Sequence, residues 1–82
     1  MSIQWFHLHG VLWEGLDLRS THFHFGITHA TLAAGGNRYT LGLCSPDYEG
    51  SCITLGAYAE LEEAQTAAEQ LTAIIHAAPF LD

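Results

Sequence analysis

The chain has no lysine at all, and its only basic residues are Arg19 and Arg38. Against these 2 positive residues stand 9 acids, for a formal net charge of −7. That balance excludes the usual chemistry of direct nucleic-acid or anionic-membrane binding, which needs positive charge to neutralise phosphates. No apolar run approaches the roughly 20 residues that span a bilayer, and the amino terminus shows no basic stretch followed by an apolar one. A cytoplasmic protein is the expectation. Catalytic signatures are missing too. Neither serine nor cysteine stands in a nucleophile elbow or dyad, no glycine-rich phosphate loop occurs, and Glu62 and Glu63 are adjacent on a helix and so point to different faces. An enzyme is not expected, and no cofactor is implied.

With 82 residues there is room for one domain, residues 1–82, and for a modest core. The composition, 49% hydrophobic and 13% charged, is that of a globular chain. Cys44 and Cys52 flank "SPDYEGS" and face each other across a possible hairpin, so a disulfide is geometrically feasible. In a reducing cytosol the default is two free, largely buried thiols.

Alternation of apolar and polar residues predicts strands over about 3–13, 21–33, 38–44 and 52–58. Gly10 is read as a bulge in the first, and "EGLDLRS" (14–20) as a turn. "AGGN" (34–37) supplies residues that tolerate positive φ. From residue 60 the period changes: Leu61, Ala64, Ala68, Leu71, Ile75 and Ala78 step by three and four, which predicts a helix over about 60–78 ended by Pro79. The expected fold is α+β, a four-stranded antiparallel sheet with one C-terminal helix packed on one face.

Extended geometry places Phe23, Phe25 and Ile27 on one side of "THFHFGITH" and His22 and His24 on the other. In "IQWFHLHG" it places Phe6 and Leu8 opposite Trp5, His7 and His9. Trp5, His7, His9, His22 and His24 are therefore expected on the open face. Four imidazoles, His7, His9, His22 and His24, suggest an alternative reading as a zinc, nickel or copper site. A structural homo-oligomer with a Trp5-lined interface is a further alternative.

The carboxylates carry the preferred reading. An up-and-down sheet gathers Glu14, Asp17, Asp47, Glu49 and Asp82 at one end, while Glu60, Glu62 and Glu63 occupy the first helical turn at the other, where acids also complement the helix dipole. With the strand-into-helix stretch "GAYAELEEAQTAAEQLTAI" (56–74), the acids Glu14, Asp17, Asp47 and Glu49 give a chain that resembles the small phage-encoded anti-CRISPR proteins in size, acidity and outline. The resemblance implies an inhibitor acting in the host bacterial cytoplasm. Its partner would be a basic nucleic-acid-binding protein such as a CRISPR effector subunit, whose DNA groove it occupies as a DNA mimic through Glu14, Asp17, Asp47, Glu49, Glu60, Glu62 and Glu63.

Overall fold

The structure, a computed structural model, describes residues 3–17, 23–45 and 52–77. The fold is α+β: a 5-stranded antiparallel meander, β1 (Ile3–His9), β2 (Leu12–Asp17), β3 (His24–Thr31), β4 (Asn37–Cys44) and β5 (Cys52–Tyr58), followed by α1 (Leu61–Ala77). Neighbours in sequence are neighbours in the sheet throughout.

The expected sheet had four strands, and the fifth comes from its first segment. Residues 3–13 do not form one strand. The chain reverses at Gly10 and Val11, and "LWEGLD" pairs back on β1 with Trp5 opposite Gly15 and His7 opposite Trp13. Gly10 is thus a turn residue, and the register irregularity falls between His7 and His9. Of the segment read as a turn, residues 14–17 are strand and 18–20 lie outside the described residues; Gly15 serves packing, since a Cβ there would come within 2.6 Å of the Trp5 ring. The β3–β4 turn follows expectation, with Gly35 and Gly36 at φ 93° and 91°, a region L side chains rarely adopt.

Cross-strand partners share a face, so the register sorts the sheet into two sides. Ile3, Trp5, Phe25, Ile27 and Leu41 lie on the side that α1 covers. The core is Ile3, Phe25, Ile27 and Leu41 against Ala64 and Ala68 of the helix. Small residues on α1 let it approach the large sheet side chains closely, and Thr72 completes its buried stripe. At its start, the Glu60 amide donates to Glu63 Oε1 at 3.2 Å, one half of a capping box. Farther along, the Ile3 amide donates to Glu69 Oε1 at 2.9 Å, and His76 Nε2 lies 2.8 Å from Asp17 Oδ2. The helix therefore runs from the end of β5 across to the β1–β2 edge. Among the described residues no helix is long and apolar enough to cross a membrane.

Candidate functional site, an acidic ridge flanked by aromatic rings

The helix that seals the core turns its other side to solvent, and that side carries the first candidate site. Glu60, Glu62 and Glu63 are exposed at its start. They sit where the helix leaves unsatisfied N–H groups and a partial positive charge, so clustering three carboxylates there costs less than it would mid-helix. Two shallow grooves run along the helix. One, of about 430 Å³, is lined by Tyr58, Glu62, Glu63, Thr66, Ala67 and Gln70. The other, of about 460 Å³, is lined by Trp5, Glu62, Gln65, Thr66 and Glu69. Glu62 and Thr66 line both and so form the ridge between them. Each groove thus pairs carboxylates with an aromatic ring, Tyr58 in one and Trp5 in the other. That pairing suits the charged head and apolar stem of arginine or lysine, which gain from ring faces as well as from carboxylates.

The other acids of the sequence reading are distributed differently. Asp17 is only 3% exposed, and its carboxylate pairs with His76, so it fastens the end of α1 to β2 and is not available to a partner. Glu14 is half-buried in the middle of β2, paired with Gly26, on the face away from the helix. It belongs to neither cluster of the expected charge map. Asp47, Glu49 and Asp82 lie outside the described residues. Arg38, the basic residue among those described, lies beside Ala30 on the same face as Glu14. Among the described residues the ridge therefore has no arginine on its own side of the sheet.

The histidines do not share a face. His7 pairs with Trp13 on the helix-covered side, whereas His24 pairs with Leu16 on the open side. His22 lies outside the described residues, and His9 follows the register irregularity. Trp5, expected on the open face, is half-buried beside α1. Phe6 and Leu8, expected inside, are 39% and 52% exposed. The phase of β1 is thus the reverse of the one expected, because "IQWFHLH" is apolar on both phases. Among the described residues no group of three or more His, Cys, Asp or Glu is placed to hold a metal ion.

What the histidines do instead went unread in the sequence. His7 stacks on Trp13 with ring centroids 4.6 Å apart, and His29 stacks on Tyr39 at the same separation. Trp13 meets His29 and Tyr39 edge-on. A hydrogen bond of 2.7 Å joins His29 Nε2 and Asn37 Oδ1. The row crosses four strands, β1 to β4, so only the register reveals it. The thiols likewise depart from expectation: Cys44 and Cys52 are directly opposite in the β4–β5 ladder and form a disulfide.

No protein-family model, curated protein or solved structure matches this chain.

Proposed function

We propose that the protein is a small acidic binding module that works by occupying the positively charged surface of a nucleic-acid-binding protein. The observation that carries this reading is the α1 ridge: Glu62 between two grooves, each walled by carboxylates and one aromatic ring. Carboxylates there stand in for phosphates, and the rings accept the side chains of arginine or lysine as bases or sugars do in a nucleic-acid groove. With a net charge of −7, approach to a basic surface is steered over a distance of about a Debye length. The resemblance to phage-encoded anti-CRISPR proteins makes a CRISPR effector subunit the first partner to test, with its DNA groove as the surface covered.

The test compares two sets of reversals in a pull-down against effector complexes at low and high salt. Glu60→Lys, Glu62→Lys and Glu63→Lys together are expected to lower capture at least a hundredfold, and salt is expected to weaken the unaltered protein steeply. Asp47→Lys with Glu49→Lys changes charge in the sequence between β4 and β5 and is expected to cost less than tenfold. Equal losses in both sets would reduce the ridge to one part of a diffuse charge, and capture untouched by the first set would end the reading.

A further inference from the structure

The face of the sheet away from α1 has no described element over it, and its character differs from that of the rest of the molecule. Phe6 and Leu16 are exposed there, 39% and 36%, with Leu12 half-buried between the strands. Among its described residues only Glu14 and Arg38 carry a full charge, one of each sign, in a chain whose total is −7.

The register fixes where those two charges stand. Thr28 on β3 is opposite Leu12 on β2 and Thr40 on β4. Two residues along β2 from Leu12, in the direction of Gly26, is Glu14. Two residues along β4 from Thr40, in the opposite direction toward Ala30, is Arg38. Thr28 is therefore the midpoint between the anion and the cation. A two-fold axis lying in the plane of this face, through Thr28 and perpendicular to the line from Glu14 to Arg38, exchanges their positions.

We infer that this face is where two copies of the chain meet, sheet to sheet, with Glu14 of each copy over Arg38 of the other. An isologous contact needs a self-complementary patch, and a neutral face with its two charges placed symmetrically about a point provides one. In a face-to-face pair the two α1 ridges lie on the outer sides, separated by two helix-on-sheet layers and the gap between sheets, about 30 Å, beyond the ~10 Å over which charge is felt in 0.1 M salt. Their repulsion is screened, whereas contact through the ridges would bring like charges together.

The area sets the strength. Strands ~4.8 Å apart with ~3.4 Å per residue give a five-stranded face of about 600 Å² per copy. That is below the ~800 Å² per partner of a standard interface, which places the contact among weak, reversible ones, and a dissociation constant on the order of micromolar is expected.

Sedimentation equilibrium of the whole chain from 1 to 500 μM, quantities on the order of the expected dissociation constant, tests the assignment, with circular dichroism to verify that each variant is folded. Glu14→Arg and Arg38→Glu alone each replace an attraction by a repulsion at two symmetry-related places and are expected to weaken the dimer at least tenfold. Combined in one chain they restore the pair with its sense exchanged, and the dissociation constant is expected to return to within about threefold of the original. Glu62→Lys, on the ridge, is expected to leave it unchanged, which separates this inference from the proposed function. A chain that stays monomeric throughout would overturn the assignment. So would a dimer insensitive to both single reversals, which would point to pairing along the edge of β5, or a double variant no better than the singles.

Discussion

The two faces of the sheet are built from the same alternating strands and meet opposite fates. On the covered side Phe25, Ile27 and Leu41 lie under Ala64 and Ala68 of α1, and Phe25 is 0% exposed. On the other side Phe6 and Leu16 look outward, and beside them β3 and β4 present glycines and threonines. Apolar content alone does not decide which side is the core. Complementary size decides it. The helix presents alanines and a threonine to a surface of large side chains, and Gly15 vacates the space that the Trp5 ring fills. Among the described residues the open side has no large-to-small partner, and at its centre Gly26 pairs with Gly42.

The largest test of that contrast is truncation of the same side chain on each face. Phe25→Ala leaves a void under the helix and is expected to cost about 3–5 kcal/mol, a large share of the stability of a domain this size. Phe6→Ala is expected to cost about 1 kcal/mol or less, since much of its ring is already in water. Urea unfolding at low micromolar concentration measures both, and a cost for Phe6→Ala equal to that of Phe25→Ala would mean that the open face is a second core.

The glycines give a finer version. A Cβ at Gly15 would come within 2.6 Å of the Trp5 ring, whereas at Gly26 its nearest neighbour would be Cys44 Sγ at 3.9 Å, an ordinary contact. Gly15→Ala is expected to lose about 1–3 kcal/mol, with a shift in tryptophan fluorescence as Trp5 is displaced. Gly26→Ala is expected to be neutral or slightly stabilising, because alanine has less backbone freedom to lose on folding. Matching losses would remove the physical distinction between the faces.

How much of this was legible in the sequence follows the same line. The α1 stripe was readable because Ala64 and Ala68 repeat at helical spacing, and the inward face of β3 because Phe25 and Ile27 alternate with a histidine and a glycine. β1 was not readable in phase, since Ile3 and Trp5 compete with Phe6 and Leu8 and only pairing with Gly15 settles the contest. That pairing also hid β2: Gly15 and Asp17 look like turn residues, yet one makes room for Trp5 and the other receives His76. The histidine face failed with the phase of β1. The disulfide was weighed on compartment, whereas register alone puts Cys44 opposite Cys52. The acids at the start of α1 were legible as a cluster; the aromatic walls beside them, Trp5 and Tyr58, were not, because they come from the two edge strands.

The smallest effect concerns a residue the helical pattern did not select. Thr72 is 0% exposed, and its Oγ1 has no hydrogen-bond partner among the described residues. A buried hydroxyl without a partner pays desolvation and receives nothing for it. Valine has nearly the same shape with a methyl group in place of the hydroxyl, and its helix propensity is close to that of threonine. Thr72→Val is therefore expected to stabilise the fold by about 1 kcal/mol, seen as a higher urea midpoint with an unchanged slope. Loss of stability on this substitution would mean that the hydroxyl is bonded, and the seam between α1 and the covered face would then be held by a polar contact as well as by the fit of alanine against phenylalanine, isoleucine and leucine.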